Sequence, residues 1–212
     1  GFVNVDAFSQ LPRDPETWLI KPLVPFGGWV NIYGQPKKAR KSYFALGMAW
    51  AVSSGQTEWL GFEVCSQGPV LYLQADTPHT LWVERKDDIE AGGYDLSNVW
   101  FASLLTTPYP FNIIEHEDIL NEMIQAVPDH PVMVIFDTGA AIHTLDENKT
   151  QDMTLFMHAL SRAAGPHQAK VLISHDRKGG TAPPGKDGHT PAVDHDQEGG
   201  SLMQGNRGSS AV

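Results

Sequence analysis

The stretch Gly34-Gln-Pro-Lys-Lys-Ala-Arg-Lys41-Ser42 reads as a phosphate-binding loop, and it decides the fold that we predict. It follows an apolar run, Trp29–Tyr33, that is typical of a strand. It precedes Lys41–Ser54, a segment rich in helix formers that stops at Gly55. A strand, a loop and a helix in this order are the context that a Walker A motif requires.

The chemistry of this loop is specific for phosphate. Backbone amides of such a loop and of the helix N-terminus face phosphate oxygens. We expect Lys41 to neutralise the β- and γ-phosphates and the Ser42 hydroxyl to bind Mg²⁺. The residues predicted to bind ATP are Gly34, Gln35, Pro36, Lys37, Lys38, Ala39, Arg40, Lys41 and Ser42.

The loop departs from the usual G-x4-G-K-[ST] pattern in two ways. Gly34 and Lys41 are one residue further apart than usual, and Arg40 stands where a glycine normally precedes the lysine. That glycine often has a positive φ, so a residue with a side chain there should cost about 1 kcal/mol. The alternative interpretation is a basic turn that happens to cap a helix.

The rest of the chain alternates apolar runs with helical segments. This alternation predicts an α/β fold with a mostly parallel central sheet and helices on both faces. The predicted strands are Trp29–Tyr33, Val70–Leu73, Val99–Ala102, Val132–Phe136 and Lys170–Ser174, and the predicted helices are Lys41–Ser54, Thr77–Glu90, Glu115–Ala126 and Gln151–Ala164.

Two regions outside this alternation shape the predicted domain organisation. Residues 1–28 are punctuated by proline and are predicted to form an N-terminal arm, with the core at 29–212. Residues Asp176–Asn206 are rich in glycine, proline and charge, and we expect a mobile functional loop there. Because the last residues, Arg207–Val212, resemble the start of another strand, we expect the chain to be a piece truncated at its C-terminal side.

Composition narrows the classes of function. With 212 residues the chain can form one sizeable core. The net charge of −10 excludes binding of nucleic acid through overall charge, so any such contact must be local. The sequence contains no run of about 18 apolar residues, so no membrane span is predicted. Cys65 is the only cysteine, which fits a reducing, cytoplasmic compartment.

Three polar residues follow predicted strands, at the edge where ligands bind in such folds. Asp137 is predicted to hold Mg²⁺ as a Walker B carboxylate, and Asp76 to orient or deprotonate the attacking water. His175 is predicted to sense the γ-phosphate. A turn or helix cap remains the alternative for each aspartate, and an ordinary structural role remains the alternative for His175.

Several segments together resemble the RecA/DnaB-like ATPases of the RepA type, a group of hexameric replicative helicases found in phages and plasmids. The resemblance covers roughly residues 15–212. The segments that carry it are Tyr33–Ser42, Val70-Leu-Tyr-Leu-Gln-Ala-Asp76 with Arg85 downstream, Val134-Ile-Phe-Asp137, Ile173-Ser-His-Asp-Arg-Lys-Gly-Gly180 and Arg207-Gly-Ser-Ser210.

The resemblance implies a RecA-like core that assembles into a homo-oligomeric ring and hydrolyses ATP with Mg²⁺ at subunit interfaces. It implies single-stranded DNA in the central channel and Arg207 as an arginine finger. Relatives usually carry glutamate at the position of Asp76, whose side chain is shorter by one methylene. The predicted function is therefore a replication helicase core. A recombination or strand-annealing ATPase, or a nucleotide-binding switch with little hydrolysis, are the alternatives.

Overall fold

A computed structural model describes residues 4–10, 17–35, 39–107 and 110–174. Several predictions fall outside these ranges and stay predictions. They are those for Pro36, Lys37, Lys38, His175, Arg207 and the loop Asp176–Asn206.

Regular structure alternates along the described chain much as the sequence predicts. The predicted strands and helices are all present, with ends that differ by no more than about two residues. In chain order the elements are α1 (Val5–Ser9), β1 (Trp18–Lys21), β2 (Val24–Pro25), β3 (Trp29–Ile32), α2 (Lys41–Ser53), β4 (Glu58–Trp59), β5 (Phe62–Val64), β6 (Val70–Gln74), α3 (His79–Ala91), β7 (Val99–Ser103), α4 (Glu117–Gln125), β8 (Met133–Asp137), α5 (Thr150–Ala164) and β9 (Ala169–Ile173).

The centre of the fold is a five-stranded sheet in the order β3-β9-β8-β6-β7. All four pairings are parallel. Strands β6, β8 and β9 are buried along their whole length, as expected for strands that are covered on both faces. This confirms the predicted parallel sheet.

Helices cover both faces of this sheet and divide the core in two. On one face Ala45, Leu46 and Ala49 of α2 and Trp82 of α3 pack on the sheet residues Val70, Tyr72 and Ile135. On the other face Leu120 of α4 and Leu160 of α5 pack on Leu73, Val134 and Phe136. The predicted α/β fold class is confirmed.

Helix α2 differs from expectation in one respect. Its apolar sequence predicts burial against the sheet, yet Tyr43 and Phe44 are 37% and 41% exposed. Only one face of the helix packs on the sheet. The aromatic residues of its opposite face line an open groove together with Trp59 and Tyr94.

The sequence does not predict a second, antiparallel sheet of four short strands in the order β2-β1-β5-β4. Strands β1 and β2 come from residues assigned to the N-terminal arm, so this part of the arm is regular structure. Leu19, Ile20 and Val24 join the same apolar core as α2. The boundary at residue 28 stays a prediction.

The parallel strands all end at one edge of the sheet, and this edge positions the site. Strand β3 leads into the phosphate-binding loop, β8 ends at Asp137, and β6 ends two residues before Asp76. Strand β9 lies between β3 and β8, and its last residue, Ile173, reaches the same edge.

Among the described helices, none has the length and apolar character needed to cross a membrane.

Candidate active site

The loop after β3 ends at Arg40, which occupies the N-cap of α2 with φ 46° and ψ 37°. This is the left-handed conformation that the glycine of the usual motif would adopt, so the expected positive φ is confirmed. No side chain caps the helix. A helix N-terminus that no side chain caps can present its backbone N–H groups to an anion.

Lys41 begins α2 and turns its side chain back over the loop. Its ammonium donates hydrogen bonds to the carbonyl oxygens of Gly34, at 2.8 Å, and Gln35, at 3.4 Å. Only 8% of the residue is exposed. A Cβ atom at Gly34 would lie 2.7 Å from the Cβ of Ala39, so the loop closes tightly where the lysine folds over it. The charge of Lys41 is thus held at the loop.

Asp137 ends β8, and the residue is only 2% exposed. The Tyr72 hydroxyl donates a 2.6 Å hydrogen bond to its Oδ2 atom, and the Ser42 side chain lies close enough to affect the pKa of the carboxylate. Burial raises the pKa of Asp137, while the hydrogen bond from Tyr72 and the nearby Ser42 side chain oppose that rise. The structure therefore brings the last residue of the loop beside the carboxylate predicted to hold the metal.

Asp76 lies beside this pair but in a different environment. It is exposed, and its Oδ1 atom accepts a 3.0 Å hydrogen bond from the Thr77 hydroxyl, which in turn accepts one of 3.3 Å from Arg85. Its negative charge contributes to the raised pKa of Asp137. One carboxylate is buried and the other reaches solvent, which is the separation of environments that gives two acids different roles.

The alternative interpretation of both aspartates as caps finds no support in the described residues. Helix α3 begins at His79 with Pro78 at its N-cap position, and the 3₁₀ helix after β8 has Thr138 at its N-cap position. Neither helix has a side-chain cap hydrogen bond.

These groups share a single cleft of about 680 Å³ at the C-terminal edge of the sheet. Such a volume lies within the range of small-molecule sites. The cleft is lined by Arg40, Lys41 and Ser42 from the loop and by Asp76 and Asp137 from the strand ends. The remaining lining residues are Tyr43, Thr77, Pro78, Leu81, Arg85, Asp88, Thr138 and Ile173.

Sequence reasoning missed part of this site. It did not predict Tyr72 or Thr77, and it noted Arg85 only as part of a resemblance. The signal for Tyr72 was a phenol inside an otherwise apolar buried strand, because a buried tyrosine hydroxyl usually has a hydrogen-bond partner. The signal for Arg85 was its position nine residues after Asp76, on the helix that leaves the same strand.

The residues present fit a phosphate chain and a hard divalent cation. Lys41 supplies the positive charge, and Ser42 and Asp137 supply neighbouring oxygen atoms of the kind that Mg²⁺ prefers. Among the described residues, no three His, Cys, Asp or Glu side chains form a cluster that could hold a metal without a nucleotide. Magnesium in such sites usually completes its shell with phosphate oxygens and water.

Comparison with known proteins places this chain in a family. A family model described as an AAA domain matches residues 2–181. A KaiC-like protein from the archaeon Pyrococcus horikoshii OT3 has a similar structure, with 12% sequence identity, a TM-score of 0.49, and coverage of 78% of this chain and 71% of that chain. The sequence has no significant match among curated proteins. Since the family model spans most of the chain, the protein belongs to the AAA domain family and is a P-loop ATPase.

Proposed function

We propose that the chain is the Mg²⁺-dependent ATPase core of a DNA replication helicase that acts on single-stranded DNA. The observation that carries the nucleotide part of this proposal is that Lys41, Ser42 and Asp137 line one cleft, with the Lys41 ammonium held at the loop. A charged lysine, a hydroxyl and a carboxylate at a strand-loop-helix junction are the parts that phosphoryl transfer from a Mg²⁺–nucleotide requires.

The chain's own side chains would act by position and charge. Lys41 exchanges its loop carbonyl acceptors for phosphate oxygens, which strengthens the hydrogen bonds because both partners are then charged. Ser42 and Asp137 would hold Mg²⁺, which supplies neutralisation of phosphate charge when it is bound. Asp76, exposed at the mouth of the cleft, accepts the proton of the attacking water or orients that water.

The DNA and ring parts of the proposal rest on the resemblance to RepA-type helicases. They invoke His175, Arg207 and the segment Asp176–Asn206, which lie outside the described residues. The net charge of −10 requires DNA to be held locally, in a loop or an assembled channel. A ring also provides the route by which Arg207 reaches a neighbouring subunit's nucleotide.

A turnover assay with and without single-stranded DNA tests the proposed function. We expect Mg²⁺-dependent ATP hydrolysis that rises on addition of single-stranded DNA, and ATP-driven unwinding of a forked duplex. Strand annealing or exchange without unwinding would favour the recombination ATPase instead. A rate of ATP hydrolysis that single-stranded DNA does not change, at any protein concentration, would contradict the helicase proposal.

A nucleotide-binding switch with little hydrolysis is the second candidate, and two observations favour it. Asp76 is shorter than glutamate, and its Oδ1 atom is already hydrogen-bonded to Thr77. Arg40 also occupies a left-handed position in the loop, where the backbone of a residue with a Cβ atom is strained. Tight ATP binding with a single turnover slower than product release would support the switch over the helicase.

Subunit mixing tests the ring. Lys41→Ala subunits have a defective phosphate site but an intact Arg207, whereas Arg207→Ala subunits have the reverse. If Arg207 acts across an interface, mixtures should hydrolyse more ATP than either variant alone, because a trans arginine contributes on the order of 10³–10⁵ in rate. Full activity in a dilute sample that sedimentation shows to be monomeric would rule out the trans role.

A further inference from the structure

A buried tyrosine holds the carboxylate of the candidate active site from behind. Tyr72 lies in the middle of β6, is 0% exposed, and donates its hydroxyl proton to Asp137 Oδ2 over 2.6 Å. The Ser42 side chain lies near both groups and lines the same cleft as Asp137. No sequence motif assigns a role to this hydroxyl.

The sheet register explains why the tyrosine reaches the aspartate. Strands β6 and β8 are parallel neighbours, with Tyr72 paired to Ile135 and Gln74 paired to Asp137. Side chains two residues apart point to the same face of a sheet, so Tyr72 and Asp137 share the face that α2 covers. The phenol extends along this face toward the strand end, where its hydroxyl meets the carboxylate.

Aromatic packing fixes the phenol ring. Phe101 on β7 stacks against Tyr72 with ring centroids 6.3 Å apart, and Trp82 on α3 stacks on Phe101 at 3.7 Å. A ring held in this way presents its hydroxyl in one position. Asp137 therefore has one oxygen atom, Oδ2, engaged by a rigid donor.

We propose that Tyr72 is a positioning residue for the metal side of the site, because its hydroxyl orients the Asp137 carboxylate toward Ser42 and a bound divalent cation. With Oδ2 engaged, the second oxygen atom serves the cation's ligand shell. The Ser42 hydroxyl can then give a lone pair to the cation while its proton stays with the carboxylate. Partners of metal-side carboxylates generally tune metal affinity in this manner.

This inference rests on the proposed nucleotide site, and its test separates the two. ADP affinity is measured by calorimetry in EDTA and at rising Mg²⁺ concentration, for wild type and for Tyr72→Phe. We expect the variant to bind metal-free ADP as wild type does. Its half-saturating Mg²⁺ concentration should rise about 10- to 100-fold, the usual effect of losing such a partner.

Phe101→Leu is the matched control, since it disturbs the same aromatic stack but removes no hydroxyl. It should lower thermal stability, and because Tyr72 keeps its hydroxyl it should raise the half-saturating Mg²⁺ concentration far less than Tyr72→Phe does. Equal Mg²⁺ dependence in wild type and Tyr72→Phe would overturn the inference, as would an equal rise in both variants. Absence of any ADP binding by wild type, with or without Mg²⁺, would instead overturn the proposed function itself.

A measurement on the wild-type protein keeps the inference testable if Tyr72→Phe does not fold. The chain has five tyrosines, so labelling them with ¹³C at Cζ yields few resonances, and the other four can be assigned by substitution. Adding Mg²⁺ to the ADP complex should shift the Tyr72 resonance, because the charge on its acceptor is then shared with the cation. A Tyr72 resonance that does not respond to Mg²⁺ would overturn the positioning role.

Discussion

Substitutions at Arg40 test whether the loop has the backbone geometry of a phosphate-binding loop. Arg40 has φ 46°, where any residue with a Cβ atom is strained. Left-handed backbone costs such a residue about 1–2 kcal/mol. Glycine avoids that cost but loses about 0.4–1 kcal/mol through its greater freedom in the unfolded chain.

The left-handed strain of alanine exceeds the entropy cost of glycine by about 0.8 kcal/mol at the centres of these ranges. We therefore expect Arg40→Gly to be more stable than Arg40→Ala by about that amount. For a domain of this size that is a rise in Tm of about 2–3 °C. Comparing glycine with alanine cancels the loss of the guanidinium, which both variants share. Thermal and urea unfolding without nucleotide provide the measurement.

Leu155 supplies the matched control because it is exposed in the interior of α5, where backbone geometry is ordinary. There the order should reverse, with Leu155→Gly less stable than Leu155→Ala by about 1 kcal/mol. If alanine is also the more stable residue at position 40, the left-handed loop conformation is wrong, and with it the comparison to the glycine of the usual motif.

Three further substitutions follow from the site. Asp137→Asn should raise the free energy of unfolding at neutral pH, because burial holds the pKa of Asp137 in the folded protein above its usual value of 3.8. The wild-type protein gains stability as the pH falls through that raised pKa. Urea titrations should therefore show the stabilities of wild type and variant converging below about pH 4. A constant gap at all pH values would contradict this. Asp76→Asn should keep ATP affinity but lower turnover by about 10²–10⁴, and an equal loss of affinity in both aspartate variants would show that the roles are misassigned. Gly34→Ala should weaken ATP binding with unchanged circular dichroism, since its Cβ would lie 2.7 Å from Ala39 Cβ; normal affinity would mean that this contact is unimportant.

Elements of the parallel sheet could be predicted because burial on both faces leaves continuous apolar runs. Val132–Phe136 is such a run, and strand β8 covers nearly the same residues. The antiparallel sheet could not be predicted in this way. Its strands β2 and β4 have two residues each, too few for a pattern, and β1 pairs with β5 far along the chain.

The same contrast holds for the site. Asp76 and Asp137 could be predicted because polar residues at the ends of parallel strands meet at one edge. Tyr72 could not, because its partner depends on which strands are neighbours: β6 lies beside β8 although β7 comes between them in sequence. Arg40 is a different case: it departs from the motif in residue type, yet it has the positive φ that the glycine of the usual motif often adopts.

The central claim is that Gly34–Ser42 binds the phosphates of ATP beside Asp137. Calorimetric titration of wild type and Lys41→Ala with ATP in Mg²⁺ tests it most directly. A hydrogen bond to a charged group contributes about 1.5–3 kcal/mol, so the variant should bind ATP roughly 10- to 150-fold more weakly while remaining folded. ATP affinity that is the same in both proteins would contradict the claim.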